Sequence, residues 1–285
     1  GGPERSPLSS SSAAADVEKR QALGGKETNL VEDADFAIFI TCSIRDKAEQ
    51  KVVSELGRFR PIWERHGYPR IALLGCMAQR TGETIARRFP WVRVIAGPRH
   101  LGAVPAAIAE SMRTNQSVFL LDQDPNAIDD LACVPTGQSN QHKAYVTITH
   151  GCDQFCSYCI VPYVRGRFGS RKPEEILEEA RRLVQNGVLE ITLLGQNVNT
   201  YGKDFPAAED ESAYRFASLL RDVAEISGLR RLRFTTSHPL DFSDDILEMM
   251  TAYPNICPSI NLPVQSGNDK VLQEMNRKYT RAQYL

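Results

Sequence analysis

Residues 151–159 read GCDQFCSYC and bring Cys152, Cys156 and Cys159 into one short segment. The spacing is Cys-x3-Cys-x2-Cys, which offers three thiolates from a single loop. A 4Fe–4S cluster held by three cysteines keeps one iron without a protein ligand, and that iron can bind a small molecule. A cluster closed by four cysteines serves electron transfer instead. The segment therefore predicts an open iron–sulfur site.

Zinc is the alternative metal for these cysteines. Structural zinc sites close with four ligands, commonly from two Cys-x2–4-Cys pairs. No second pair follows Cys159, although His150 lies beside Cys152 and could supply a fourth ligand. The spacing favours the cluster, and a zinc site stays open as the second interpretation.

The sequence around the cysteines predicts a strand–loop–helix–strand unit. Lys143–Thr149 is rich in β-branched and aromatic residues and is typical of a strand. A helix is predicted for Pro173–Asn186, which begins with proline and two glutamates and carries one apolar face. The next strand is Leu189–Leu194. The cysteines then lie at the carboxyl end of the first strand, where (β/α) barrels build their active sites.

This pattern repeats along the chain. The further predicted elements are a helix over Tyr214–Ile226, a strand over Arg231–Thr236, a helix over Ser243–Ala252 and a strand over Ser259–Val264. Polar residues follow the successive strands, which predicts a shared ligand pocket at one edge. The candidate cofactor-binding residues are Gln196, Asn197, Ser237 and Gln265, together with Tyr158, which lies between two of the cysteines. His238 is interpreted as a capped or surface histidine.

The N-terminal part predicts a separate, smaller α/β domain. Strands are predicted at Asp35–Thr41, Arg70–Leu74 and Val92–Ala96, alternating with helices at Asp46–Arg58, Thr81–Phe89 and Leu101–Met112. Cys42 and Cys76 each follow a strand directly. We therefore expect them at the same carboxyl edge, within reach of a common cluster. The alternative is that both are buried apolar cysteines.

Five stretches resemble the radical S-adenosylmethionine (SAM) methylthiotransferase family. They are VPYVRGR at 161–167, TLLGQNVN at 192–199, LPVQSG at 262–267, TCSIRDKAE at 41–49 and LGCMA at 74–78. These stretches are most similar to the tRNA branch of the family, the MiaB-type 2-methylthio-isopentenyladenosine synthases. The branch that modifies a ribosomal protein is the near alternative. The resemblance runs from about residue 29 to the last residue and implies a partial (β/α) radical SAM barrel after a small parallel-sheet domain.

The resemblance also implies a chemistry. Cys152, Cys156 and Cys159 would hold a 4Fe–4S cluster that binds and cleaves SAM to a 5′-deoxyadenosyl radical. The radical would abstract hydrogen from carbon 2 of N6-isopentenyladenosine at position 37 of tRNA, because that bond is otherwise unreactive. A second cluster, with Cys42 and Cys76 among its ligands, would supply sulfur, and a second SAM the methyl group. Expected partners are tRNA and an electron donor such as flavodoxin or ferredoxin; we expect a monomer and no membrane association.

The sequence departs from the family at both ends. The family takes the third ligand of the second cluster from a cysteine near its N-terminus, but residues 1–28 contain none. Cys133 is an alternative ligand, and Cys257 is interpreted as a packed core thiol. The expected domains are a disordered or foreign leader (1–28), the N-terminal domain (29–121), a linker (122–142) and the radical SAM core (143–285). The remaining barrel and an RNA-binding domain are expected to be missing, so the chain is interpreted as a fragment.

Composition is typical of a soluble cytoplasmic enzyme, with 42% hydrophobic residues and no apolar run long enough for a membrane span. A net charge of −1 gives no bulk attraction to nucleic acid. Basic residues nevertheless cluster locally. Arg165 and Arg167 are predicted to contact phosphate or the cofactor carboxylate. Arg171 and Lys172 are predicted either to make the same contacts or to be solvated at the start of the helix. Arg231 and Arg233 are predicted to form a salt-bridged surface. A non-catalytic iron–sulfur or zinc module is the competing class of function.

Overall fold

The computed structural model describes residues 28, 30–43, 46–122, 142–206 and 214–285. These residues fall into two compact units, one before residue 123 and one after residue 141. The predicted leader, most of the predicted linker and Cys133 lie outside the described residues, so these assignments stay predictions. Within the described ranges, no helix is both long enough and apolar enough to cross a membrane.

The first unit is a parallel sheet with helices, as predicted, but the sheet has four strands where three were predicted. Its strands are β1 (Phe36–Thr41), β2 (Arg70–Gly75), β3 (Val92–Ala96) and β4 (Val118–Leu120), in the order β1-β2-β3-β4, and its helices are α1 (Asp46–Arg58), α2 (Arg60–His66), α3 (Cys76–Arg88) and α4 (Val104–Thr114). The sequence pattern did not predict α2 and β4. The predicted start of α3, at Thr81, is five residues too late. The helix begins at Cys76, so Cys76 is a helical residue.

The core of this unit explains why β2 is apolar throughout. Ile71 and Leu73 pack into one buried cluster, and Ala72 and Leu74 pack into another. All four side chains are fully buried. A central parallel strand is covered on both faces, so it has no solvent face and shows no alternation of apolar and polar residues.

The second unit is built on the predicted β/α repeats. Its strands are β5 (Lys143–Thr147), β6 (Thr149–His150), β7 (Gly169–Ser170), β8 (Glu190–Leu194) and β9 (Arg231–Phe234), and its helices are α5 (Val161–Arg165), α6 (Pro173–Gln185), α7 (Phe216–Ala224), α8 (Asp244–Ala252), α9 (Asp269–Glu274) and α10 (Arg281–Tyr284). Strands β5, β8 and β9 form a parallel sheet in the order β5-β8-β9, and β6 and β7 form a short antiparallel pair. The apolar face predicted for α6 packs onto this sheet through Ile176, Ala180 and Leu183.

The predicted fourth strand at Ser259–Val264 is wrong. The chain runs beside β9 but forms a single parallel bridge, between Leu232 and Ile256. Pro258 has no N–H to continue a ladder, and the Ser259 N–H donates to the Cys257 carbonyl at 2.7 Å instead. Cys257 is half-buried, so its interpretation as a packed core thiol is also wrong.

The amino-terminal edge of this sheet carries one buried carboxylate among three cations. Glu190 accepts from Arg231 at 2.5 Å, and Arg233 and Lys143 lie within 3.4 and 3.6 Å of it. The salt-bridged face predicted for Arg231 and Arg233 is thereby confirmed. Burial raises the pKa of Glu190, but the hydrogen bond from Arg231 and the neighbouring positive charges outweigh it, and the net effect is a lowered pKa.

Glu190→Gln is expected to destabilise the protein by about 1 kcal/mol at pH 7, a modest loss because the three cations are largely exposed and screened by solvent. A lowered pKa in the folded state means that the carboxylate stabilises the fold above its unfolded pKa of about 4.3 and loses that effect as pH falls. The difference in the free energy of unfolding between wild type and variant, measured in urea, should therefore shrink on acidification below about pH 4. Glu178→Gln, at an exposed position of α6, is the control. An equal loss in both variants, or a difference independent of pH, would contradict this account.

Candidate functional site

The cysteine loop, residues 151–159, follows β6 and is held closely against the segment after α5. The Cys152 N–H donates to the Gly166 carbonyl at 3.3 Å. Gly151 has φ +62°, and a Cβ at this position would lie 1.9 Å from the Arg167 carbonyl oxygen. Only glycine, which has no Cβ, allows the two backbone segments to come this close, so Gly151 fixes the position of the start of the loop.

An acidic side chain of the loop strengthens this contact. The Asp153 carboxylate accepts two hydrogen bonds from Arg167, at 2.8 and 2.9 Å, and a third from the Phe168 N–H at 3.1 Å. Arg167 therefore holds the loop in this structure. Arg165, at the end of α5, is half-buried.

The three thiols are electrostatic neighbours. Cys156 is buried, and Cys152 and Cys159 are half-buried. Burial raises the pKa of Cys152 to about 11, and the nearby Cys156 and Cys159 add to the rise because ionised thiols repel one another. In the part of the chain that the structure describes, no three His, Cys, Asp or Glu side chains converge as a ready metal site. The thiols must therefore turn toward a common point to bind a cluster.

A buried carboxylate joins the loop to the strand ends. Asp241 accepts hydrogen bonds from Gln154 at 3.0 Å and Asn197 at 2.9 Å, and it pairs with the Lys203 ammonium group. Sequence reasoning missed Asp241 and Lys203. The available signal was a carboxylate three residues after His238, in the polar segment that follows the third strand.

A cavity of about 520 Å³ opens beside this carboxylate. Its walls are formed by Cys152, Asp153, Gln154, Arg167, Phe168, Asn197, Thr200, Lys203, Asp204 and Asp241. Among the predicted site residues, Cys152, Asn197 and Arg167 line it. The cavity therefore lies between the cysteine loop and the segments that follow β8 and β9.

Four buried oxygen atoms near the strand ends find no hydrogen-bond partner within the described residues. They are Thr149 Oγ1, Gln196 Oε1, Asn197 Oδ1 and Ser237 Oγ. Such atoms are rare because an unpaired buried polar group costs about 1–3 kcal/mol. Their grouping after consecutive parallel strands indicates a site where a polar ligand completes the hydrogen bonding.

The remaining candidate residues lie elsewhere. Tyr158 is 53% exposed on the cysteine loop. Gln265 is half-buried in the irregular segment after residue 258. His238 is buried, not at the surface, and burial together with the Arg277 charge lowers its pKa to about 4, so the ring is neutral at pH 7. Its Nδ1 accepts from the Leu240 N–H at 3.3 Å.

Arg171 has a structural role, and neither predicted role was right. Its guanidinium is buried and donates to Glu179 and to the Thr147 carbonyl, both at 2.8 Å. It thereby joins the end of β5 to α6. Lys172 is exposed at the N-cap of that helix.

In the first unit, the structure places Cys42 and Cys76 at one sheet edge, as predicted. Thr41 pairs with Gly75 at the end of the β1–β2 ladder, and each cysteine is the next residue. Neighbouring strands are about 4.8 Å apart, which puts the two residues side by side. Cys76 is buried, but Cys42 is exposed, so the alternative of two buried apolar cysteines fails for Cys42. Their role as cluster ligands stays a prediction.

Two protein-family models match the chain. The Radical SAM superfamily matches residues 146–285, and Uncharacterized protein family UPF0004 matches residues 11–97. The second match begins inside the segment interpreted as a leader, and the boundary at residue 28 stays a prediction.

Curated relatives include proteins named tRNA-2-methylthio-N(6)-dimethylallyladenosine synthase. The relative from Hydrogenobaculum sp. (strain Y04AAS1) is 40% identical over 265 residues, which cover 93% of this chain and 59% of the relative. The relative from Clostridium botulinum (strain Hall) is 44% identical over 276 residues, with coverages of 95% and 60%. The chain thus spans about 60% of the length of these relatives.

Solved structures share the fold at low sequence identity. The radical SAM methyltransferase TsrM from Kitasatospora setae has a TM-score of 0.60 at 13% identity, covering 94% of this chain and 55% of that chain. The cobalamin-dependent radical SAM enzyme OxsB has a TM-score of 0.52 at 11% identity, covering 88% and 38%. The two family models, the named relatives and the fold agree with the predicted resemblance. Residues 146–285 carry the radical SAM domain, and the chain is similar over most of its length to the tRNA methylthiotransferases named above.

Proposed function

We propose that this protein methylthiolates carbon 2 of N6-isopentenyladenosine at position 37 of tRNA by radical SAM chemistry. The names of relatives 40–44% identical over most of the chain support this reaction. The family implies a 4Fe–4S cluster and SAM, so the residues present must suit both groups. The observation that carries the proposal is the set of four unpartnered oxygens beside the loop of three thiols.

The cysteine loop suits an open cluster. Cys152, Cys156 and Cys159 provide three soft donors on one loop, as this cluster type requires. Their mutual repulsion on ionisation is relieved when iron replaces the three protons. The Asp153–Arg167 and Gln154–Asp241 contacts hold the backbone of the loop from both sides, so that cluster binding needs only the thiol side chains to turn toward a common point.

The cavity suits an amino-acid-bearing cofactor. Its volume of about 520 Å³ is within the usual range of roughly 300–1,000 Å³ for small-molecule sites. Asn197, which lines the cavity, has a free oxygen that can accept a hydrogen bond from the ammonium group of SAM, and the free oxygens of Gln196 and Ser237 lie at the ends of the adjacent strands β8 and β9. Tyr158 and Gln265 stay candidates for its outer edge. When bound, the cluster and SAM supply the radical chemistry that an unactivated carbon–hydrogen bond requires.

Further parts of the proposal concern the first unit and the partners. Cys42 and Cys76 are proposed to hold a second, sulfur-donating cluster, which their adjacent positions at one edge support. The proposed partners are tRNA carrying isopentenyladenosine, SAM and an electron donor such as flavodoxin or ferredoxin. We place the reaction in the cytoplasm, where thiols at ligand spacing stay reduced, and propose a monomeric enzyme.

The test is anaerobic reconstitution followed by iron, sulfide and zinc analysis of one sample. About four iron and four sulfide per chain, with 5′-deoxyadenosine formed from SAM on reduction, are expected for one cluster, and about twice that for two. Isopentenylated tRNA should gain a methylthio group, detected by mass spectrometry of its nucleosides, while tRNA lacking the prenyl group is the control. Zinc without sulfide would replace the proposal with a zinc-binding module.

A further inference from the structure

Three residues after α9 hold the cysteine loop from about 120 positions away in sequence. We call residues 275–277 the loop clamp. The Met275 carbonyl accepts from the Ser157 N–H at 3.1 Å, and Asn276 Nδ2 donates to the Phe155 carbonyl at 2.8 Å. Arg277 Nη1 donates to Cys156 Sγ at 3.1 Å. The clamp therefore contacts both the backbone and one thiol of the loop.

The backbone of the loop needs this support. Phe155 has φ +46° and Asn276 has φ +55°. A bulky aromatic residue rarely adopts the left-handed region, which costs about 1–3 kcal/mol and persists only where surrounding contacts impose it. The Asn276 hydrogen bond to the Phe155 carbonyl is such a contact. It keeps the chain turned between Cys152 and Cys156.

Arg277 brings a buried positive charge that pairs with no acidic side chain of the described residues. The residue is 8% exposed, and its Nε makes no hydrogen bond to the described residues. No carboxylate among these residues pairs with it, and its guanidinium lies 5.4 Å from the centroid of the Tyr279 ring. A buried charge is costly unless an anion or an ordered dipole compensates it. On the cysteine loop, its hydrogen-bond partner is the Cys156 sulfur, which would be a thiolate when a cluster is bound.

We infer that Arg277 is a positioning residue that stays hydrogen-bonded to the Cys156 sulfur in the loaded enzyme and raises the reduction potential of the cluster. The inference rests on the proposed function. Reduction adds one electron from the external donor to the cluster and breaks no bond at Cys156. A fixed cation at a ligand sulfur stabilises the more negative, reduced state, and hydrogen bonds to sulfur are among the factors that set cluster potentials.

The experiment is an EPR-monitored redox titration of reconstituted protein carrying Cys42→Ala and Cys76→Ala, so that one cluster gives the signal. Arg277→Gln should lower the ratio of reduced to oxidised cluster at least tenfold at a fixed potential, a shift of about 59 mV for a one-electron couple. Arg277→Lys should shift it less in the same direction. Lys278→Gln removes an exposed charge one residue further on and should leave the potential unchanged. Asn276→Ala removes clamp contacts but no charge, and it should lower iron loading without shifting the potential.

The outcomes separate this inference from the proposed function. Full iron content with the wild-type potential in both Arg277 variants would overturn the inference and leave the proposed function standing. If Arg277→Gln loses the cluster, Arg277→Lys decides: a more negative potential supports the inference, and an unchanged one overturns it. Absence of iron and sulfide in the Cys42→Ala, Cys76→Ala protein with Arg277 intact would overturn both.

Discussion

Cys156→Ala is expected to lose the 4Fe–4S cluster and to reduce SAM cleavage to background. Two thiolates remain on the loop, and they cannot hold a cluster that needs three. Cys156 is also the buried member of the set and the hydrogen-bond partner of Arg277, so the substitution leaves a buried cation uncompensated. The measurement is iron and sulfide per chain after reconstitution, with 5′-deoxyadenosine quantified after reduction. Iron should fall by about four atoms per chain.

The matched control is Cys257→Ala. Cys257 is half-buried, lies outside the cysteine loop and does not line the cavity. The Cys257→Ala variant should keep the iron content and the SAM cleavage of the wild type. Full cluster content in Cys156→Ala would show that this residue is not a ligand, and equal losses in both variants would indicate damage to the fold.

Local patterns predicted the parts of this protein that depend on near neighbours in sequence. The alternation of strands and helices predicted both parallel sheets, because β-branched runs and amphipathic spacing are visible within a few residues. The parallel order of β1 and β2 follows from the same pattern and places Cys42 beside Cys76. Polar residues after β8 and β9 were likewise predicted as a pocket edge, and Asn197 lines the cavity.

Contacts between distant residues were not predictable in the same way. Asp241 contacts Gln154, 87 positions earlier, and Arg277 contacts Cys156, 121 positions earlier. Neither pair leaves a local signature, since an isolated Asp or Arg in a polar segment is usually solvated. Ser259–Val264 shows the opposite failure: its composition suits a strand, but Pro258 interrupts the ladder where it begins.

Gly151→Ala is expected to destabilise the protein strongly and to impair cluster binding, although it adds only a methyl group. Gly151 has φ +62°, and the new Cβ would lie 1.9 Å from the Arg167 carbonyl oxygen and 2.6 Å from that of Gly166. Both obstacles are backbone, so rotation of a side chain cannot relieve them. The segment after α5 must move, which breaks the Cys152–Gly166 hydrogen bond and disturbs the Asp153–Arg167 pair.

Gly187→Ala separates the steric effect from the conformational one. Gly187 also has positive φ, +92°, but nothing lies within 4 Å of a Cβ built there. We expect the Gly187→Ala variant to lose about 1–2 kcal/mol of unfolding free energy, because alanine disfavours the left-handed conformation, and to bind iron normally. The Gly151→Ala variant should lose roughly 2 kcal/mol more of unfolding free energy, measured in urea, because steric overlap with fixed backbone atoms adds to the same conformational cost. Its iron content should fall well below that of Gly187→Ala. Equal stability and equal iron in the two variants would mean that the contact between residues 151 and 167 does not fix the cysteine loop.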